Sequence, residues 1–203
     1  MSRTLRFFCP EISKNTVITD TQFHHLTKVL RLQSGAAVEL FDGKGTLAKA
    51  LIGKIEKHQA GAIILDIQTA SAPDTRRIII VPSIAKGERF DLLVAKCTEL
   101  GVDAIIPALY ERTVKQTIQL KRLNMIATES SKQCHRLFLP MIDEPRTLPQ
   151  ALENVKNNYP NAKFIFGSLS NGSISIMNFD ADENDCVAFI GPEGGLTNDE
   201  EKM

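Results

Sequence analysis

The sequence predicts an α/β protein in two parts: a small β-rich N-terminal domain, read as a barrel, followed by a parallel-sheet α/β domain. Three observations carry this reading. Strand-like runs crowd residues 36–70 around Asp42-Gly43, and Asp-Gly between two such runs is a hairpin signal. Ser71-Ala72-Pro73-Asp74-Thr75 then has the composition of a linker. Beyond it, β-branched runs alternate with helical patterns, which puts helices on the faces of a parallel sheet.

In the first part, residues 22–32 repeat apolar positions at Phe23, Leu26 and Val29/Leu30, a helical period. Thr19 or Asp20 is placed to cap this helix and Gly35 to stop it. AAVELF (36–41), TLAKALIGKIEK (46–57) and AIILDIQTA (62–70) read as strands. In the second part, RIIIVPSIA (77–85) is a strand buried on both faces. Residues 86–102 place Phe90, Leu93, Val94, Cys97 and Leu100 on one helical face, closed by Gly101. AIIPAL (104–109) is the next strand. Residues 118–136 form a helix that buries Leu120, Leu123, Ile126 and Ala127. Residues 147–157 form another, with Thr147 as cap and Pro149 in its first turn. KFIFGS (163–168) and CVAFIG (186–191) complete the strands. No internal repeat or low-complexity tract interrupts the pattern.

Composition narrows the function classes. The chain has 203 residues, 43% apolar and 24% charged, ordinary for a globular protein with a buried core. No apolar run approaches bilayer length. MSRTLRFFCPEI lacks the apolar segment of a signal peptide, so a cytoplasmic protein is expected. Cys9, Cys97, Cys134 and Cys186 are widely spaced, and His24 and His25 are adjacent. Neither pattern suits a metal, and none is expected. The net charge is zero but unevenly spread. Residues 1–35 carry five Lys/Arg against two acids, residues 112–136 six against Glu129 alone, and residues 180–203 eight acids against Lys202. Two basic zones in a neutral chain are compatible with nucleic acid on one face, or with solvated helix surfaces.

The candidate site is Gly191-Pro192-Glu193-Gly194-Gly195, which comes directly after an apolar strand. Thr197 and Glu200 then form the capping-box signature of a helix start. Ligands of open α/β sheets bind beyond the carboxyl ends of the strands. Glycines there admit a close backbone approach, and helix N-termini favour anionic groups. Alone, the turn reads as a plain reversal of the chain before it reads as a ligand loop. It matches neither phosphate-binding glycine fingerprint, which disfavours other nucleotide-dependent enzymes. Gly167-Ser168 ends the preceding strand in the same manner, as a possible second wall.

Four segments in order resemble the RsmE family of ribosomal RNA uridine-N3 methyltransferases, in the SPOUT superfamily. They are RFFCPEI with HHLTKVLRLQSGAAVELFDGKG (6–12, 24–45), AKGERFDLLVAKCTELGVDAIIPALYERTV (85–114), ESSKQCHRLFLPMI (129–142) and IGPEGGLTNDE (190–200). The resemblance implies a PUA-like β-barrel over 1–72 and a SPOUT methyltransferase domain with a deep trefoil knot over 73–203. It further implies an S-adenosyl-L-methionine cofactor, a homodimer and a uridine of 16S ribosomal RNA in the decoding region as substrate. Lys132 and Cys134 stand where the family usually shows Glu and Ser. The family also continues for roughly 40 residues, a few elements' length, with a Leu-Gly-x-Arg-Ile-Leu-Arg-x-Glu-Thr-Ala segment. The helix capped at Thr197 is therefore expected to continue past Met203, and a chain truly lacking that tail is expected to bind cofactor poorly.

On this resemblance Gly191, Pro192, Glu193, Gly194, Gly195 and Leu196 line the cofactor, with Gly167 and Ser168 as the second wall. Arg6, His25, Lys28 and Arg31 in the first domain, and Lys86, Arg89, Arg112 and Arg136 in the second, are expected to contact RNA phosphates. Arg89 and Lys96 share a helix face, with Glu99 placed to pair with Lys96. The catalytic base is unassigned: Glu193 is a candidate, but shaping the turn is its simpler role. The alternative reading is a non-catalytic RNA-binding dimer that has lost the cofactor-binding tail.

Overall fold

The structure, a computed structural model, describes residues 4–72, 76–114, 117–167, 173–180 and 182–203. The chain divides into two units: Met1–Pro73 with Ser131–Leu139, and Asp74–Ser130 with Pro140–Met203. A single boundary at 72/73 does not anticipate the return of Ser131–Leu139 to the first unit.

The first unit contains β1 (Leu5–Phe8), β2 (Val17–Ile18), α1 (Asp20–His24), a π-helical turn (His25–Val29), β3 (Ala37–Phe41), β4 (Thr46–Ile55) and β5 (Ala60–Thr69). The strands form one sheet in the order β1-β3-β4-β5-β2. β1 runs parallel to β3, and the other pairs are antiparallel. The alternation on β4 shows why this sheet has two unlike faces. Ala48, Ala50 and Ile52 are buried with Phe7, Val38, Leu40 and Leu26 in one core, while Lys49 between them points to solvent. The periodic segment 22–32 is not one regular helix: a π turn widens it after His24, and Arg31 takes φ 52°.

The opposite face carries Arg6, Glu39, Lys49 and Asp66 in cross-strand register across β1, β3, β4 and β5. Signs alternate along this row. Arg6 donates from Nε and Nη2 to Glu39 Oε2 at 3.0 and 2.8 Å, and its guanidinium lies 5.9 Å from the Phe41 ring centroid. Its side chain is only 6% exposed. Arg6 is thus a buried, charge-compensated strand residue and not the surface phosphate contact that its charge suggests.

Residues 137–139 extend the β3–β4 hairpin tip as an extra antiparallel stretch. Gly45 N–H donates to Leu137 O at 3.2 Å, and Leu139 N–H donates to Gly43 O at 2.9 Å. Gly43 and Gly45 have φ of 74° and 107°. A Cβ on Gly43 would meet Leu139 Cδ1 at 2.6 Å, and one on Gly45 would meet Phe138 Cζ at 2.6 Å and Ala70 O at 2.5 Å. The turn glycines are required twice, by backbone conformation and by the segment laid over them.

The second unit contains β6 (Ile78–Pro82), α2 (Arg89–Leu100), β7 (Ala104–Ile105), β8 (Ala108–Leu109), α3 (Leu120–Cys134), β9 (Met141–Ile142), β10 (Arg146–Thr147), α4 (Leu148–Asn158), β11 (Lys163–Phe166) and β12 (Cys186–Ile190). The last turn of α3 falls in the first unit. The main sheet runs β11-β12-β6-β7-β9, with every pairing parallel. β8 and β10 form a separate parallel pair. The expected strand 104–109 is therefore two short strands, with Ile106 and Pro107 buried between them.

One sheet face, through Ile79, Val81, Val187 and Phe189, packs with Leu148, Ala151 and Val155 of α4. α4 starts with a reciprocal capping box between Thr147 and Gln150. α2 buries Phe90 and Val94 and ends at Gly101 with φ 91°. Leu100, expected on its buried face, is instead 80% exposed. α3 buries Leu123 and Ala127, with Leu120 and Ile126 half-buried. At the other end of the sheet, Asp185 binds Arg77 through the backbone N–H at 2.7 Å and the guanidinium at 2.5 and 3.0 Å. That hydrogen bonding holds the Asp185 carboxyl below its ordinary range. Among the described residues no helix is long and apolar enough to cross a membrane.

Candidate functional site

Because the main sheet is wholly parallel, its carboxyl ends share one edge. β11 and β12 are neighbours, so Gly167 and Gly191 leave the sheet side by side. Gly167 is exposed, and a Cβ there would meet nothing within 4 Å. Ser168 lies outside the described residues.

The turn after Gly191 is closed by Gly195 N–H donating to Pro192 O at 2.9 Å, and Gly195 takes φ 73°. A Cβ on Gly191 would stand 3.3 Å from Leu196 Cδ2, and one on Gly194 3.3 Å from Arg112 Cδ. Small residues therefore let the loop fold back on Leu196 and let an arginine side chain lie across it. Thr197 and Glu200 form the reciprocal bonds expected of them, Thr197 N–H to Glu200 Oε2 at 2.9 Å and Glu200 N–H to Thr197 Oγ1 at 3.4 Å. Glu200–Lys202 is a single 3₁₀ turn.

The segment after β8 organises this edge. Tyr110 is buried and its hydroxyl donates to Val81 O at 2.8 Å. Burial, and secondarily the charge of Glu200, raises that phenol above the ordinary tyrosine range. Tyr110 N–H donates to Thr113 Oγ1, which lies 2.9 Å from Ser83 Oγ. Ser83 N–H donates to Ile190 O at 2.7 Å, tying the ends of β6 and β12 together. Glu111 N–H donates to Glu200 Oε1 at 2.7 Å. Arg112 Nη1 donates to Gly194 O at 2.5 Å and Leu196 O at 3.4 Å. Arg89, in the first turn of α2, pairs with Glu193. The sequence pattern assigns Arg112 and Arg89 to RNA, makes Glu200 the capping partner of Thr197, and gives Ser83, Tyr110 and Thr113 no role at the turn. A polar tetrapeptide directly after a strand at the ligand edge is the signal that could have found them.

The chemistry of the turn rests on these bonds. Arg112 occupies the carbonyls of Gly194 and Leu196, while the N–H groups of those two residues have no acceptor among the described residues. The loop offers donors set on a tight glycine backbone. Glu193 pairs with Arg89 at the surface.

The remaining candidates separate by burial. Lys28, Arg31 and Lys86 are exposed. His25 is half-buried with its ring 6.2 Å from that of Phe7, and Arg136 is also half-buried. Lys132, where the resemblance departs, is buried in the first unit, with Nζ donating to Gln22 Oε1 at 3.2 Å and lying 5.7 Å from the Phe7 ring centroid. Lys96 pairs with Glu99 at 2.7 Å. A second hollow of about 320 Å³ lies between the starts of α2 and α3, lined by Glu88, Phe90, Asp91, Ile118 and Arg122; Arg122 closes on Asp91 at 2.7 Å. Among the described residues no group of three His, Cys, Asp or Glu is placed to hold a metal.

The RNA methyltransferase domain family matches residues 72–203, and the RNA methyltransferase PUA domain family matches residues 18–65. The chain belongs to the RsmE family of RNA methyltransferases. It is 31% identical over 197 residues to the ribosomal RNA small subunit methyltransferase E of Synechocystis, covering 93% of this chain and 63% of that protein. The Rickettsia conorii protein of the same name is 28% identical, with 94% of this chain and 77% of that protein covered. The Neisseria gonorrhoeae ribosomal RNA small subunit methyltransferase E, solved bound to S-adenosyl methionine, superposes with a TM-score of 0.85 at 30% identity. That match covers 98% of this chain and 84% of the Neisseria chain.

Proposed function

We propose that this chain is an S-adenosyl-L-methionine-dependent methyltransferase acting on N3 of a uridine in 16S ribosomal RNA, in the cytoplasm and as a homodimer. The trefoil knot of the SPOUT fold belongs to the same reading. The observation that carries it is the Gly191–Leu196 turn at the carboxyl edge of a parallel sheet, in a chain of the RsmE family. The turn suits one side of such a cofactor: its glycines admit a close approach, and the N–H groups of Gly194 and Leu196 have no acceptor among the described residues. Gly191, Pro192, Glu193, Gly194, Gly195 and Leu196 would hold it largely through main chain, with Gly167 and Ser168 proposed as a second wall.

When bound, S-adenosyl-L-methionine supplies an electrophilic methyl group on a sulfonium. The chain's own contribution is to orient that group in line with N3 and to exclude water. N3 must lose its proton, and charge building on O2 and O4 is stabilised by neighbouring cations or N–H groups. No base is assigned. Lys28, Arg31 and Lys86, exposed on their units, are the candidates for phosphate contacts that position the RNA, with His25 and Arg136 completing the set.

Transfer of labelled methyl from S-adenosyl-L-methionine to small ribosomal subunits tests the reading. Incorporation into 16S RNA is expected. RNA binding without incorporation, together with no calorimetric binding of S-adenosylhomocysteine, would leave the non-catalytic RNA-binding dimer in its place.

A further inference from the structure

We infer that Tyr110–Thr113 is the positioning element of the glycine turn, and that Arg112 acts there on the turn's carbonyls instead of on an RNA phosphate. The inference rests on the proposed cofactor role for its consequence, but not for its geometry. Four contacts fix the tetrapeptide or radiate from it. Tyr110 is anchored under the sheet edge through Val81 O. Thr113 Oγ1 meets Ser83 Oγ, and Ser83 holds Ile190. Glu111 N–H takes Glu200, the residue that caps Thr197. Arg112 then bridges two carbonyls two residues apart in the turn. The turn is thus held from before, across and after by one short segment.

The Arg89–Glu193 pair does less. Its side chains are 71% and 84% exposed, and exposed ion pairs contribute little. Arg112 is exposed as well, but it differs in meeting the main chain of the turn at two carbonyls and in laying its methylenes on Gly194. By taking the carbonyls of Gly194 and Leu196 it fixes the backbone on which the N–H groups of those two residues are presented. A lysine cannot copy this, since its ammonium ends one bond short of the Nη1 position from which both contacts are made.

The test compares R112A, R112K and, as a control for lost charge, R122A in the full chain. Three readouts separate the roles: amide hydrogen exchange over 191–198 without ligand, affinity for S-adenosylhomocysteine, and the salt dependence of RNA binding. In R112A and R112K, exchange across the turn should accelerate and S-adenosylhomocysteine affinity should fall by roughly tenfold to a hundredfold, the worth of one charge-assisted hydrogen bond. The salt slope should stay at the wild-type value, and R122A should leave turn exchange unchanged. Unchanged exchange in R112A, with a salt slope reduced by about 0.7–0.9 as for one lost phosphate contact, would overturn the inference. If R112A fails to fold, R112K carries the same outcomes. Wild-type chain that shows no S-adenosylhomocysteine binding would refute the cofactor reading, and the exchange comparison would still decide the clamp.

Discussion

Replacing Gly45 by alanine tests the close packing of the hairpin tip of the first unit, between Ala70 and the return segment. Two costs add. The backbone sits at φ 107°, and holding a side-chain-bearing residue in such a region costs about 1–3 kcal/mol. The new methyl would also stand 2.5 Å from Ala70 O and 2.6 Å from Phe138 Cζ. Phe138 can turn aside, but Ala70 cannot easily, because Ala70 N–H donates to Gly45 O at 3.0 Å. Forcing a methyl into a packed site costs roughly another 1–3 kcal/mol. Gly35→Ala isolates the first cost, since Gly35 has φ 87° and open space around it. Urea denaturation monitored by far-ultraviolet circular dichroism should show G45A less stable than G35A by about 1–3 kcal/mol, at similar slope. Equal losses in the two variants would mean that the space around Gly45, between Ala70 O and the Phe138 ring, is not closely packed.

Other expectations come from single contacts. Glu39→Gln removes the charge that compensates Arg6, and should cost about 3 kcal/mol in the same assay, as for breaking a buried pair; a loss under about 0.5 kcal/mol, typical of neutral surface changes, would place Arg6 in solvent. Asp185 has its carboxyl lowered from 3.8 by Arg77, so its stabilising effect is present above that value and fades as pH falls through the lower folded one. Thermal melts should therefore show wild type losing stability more steeply than D185N below about pH 4, and parallel curves would dismiss the linkage. Lys28→Ala should weaken RNA binding evenly across sequences and cut the salt slope by about 0.7–0.9, read by filter binding from low to high salt; an unchanged slope would remove Lys28 from the RNA contacts.

Much of the second unit is legible in the sequence because its strands are continuous apolar runs and its helices carry caps. Ile78–Pro82, Cys186–Ile190 and the Thr147 box lie where their residues predict. β2, β7, β8, β9 and β10 have two residues each, too few for any period to register. The return of Ser131–Leu139 to Gly43 and Gly45 depends on contacts about ninety residues apart along the chain, and only the glycines hint at it. Charge is visible in a sequence but partners are not. Arg6 is consumed by Glu39, Arg89 by Glu193 and Arg112 by two carbonyls, because each lies opposite an acceptor that only the folded chain brings near. The glycine turn itself is legible, while the Tyr110–Thr113 segment shows only as a polar stretch after a strand, its partners Val81, Ser83 and Glu200 being brought near by the fold.

The modified base is the most direct measure of the proposed activity. Nucleosides of 16S ribosomal RNA from a strain lacking the gene should be resolved by mass spectrometry beside those of the parent and of the deletion strain supplied with the gene. N3-methyluridine should vanish in the deletion and return with the gene. Its retention at the parental level in the deletion, with no second gene of the family present, would contradict the proposed activity.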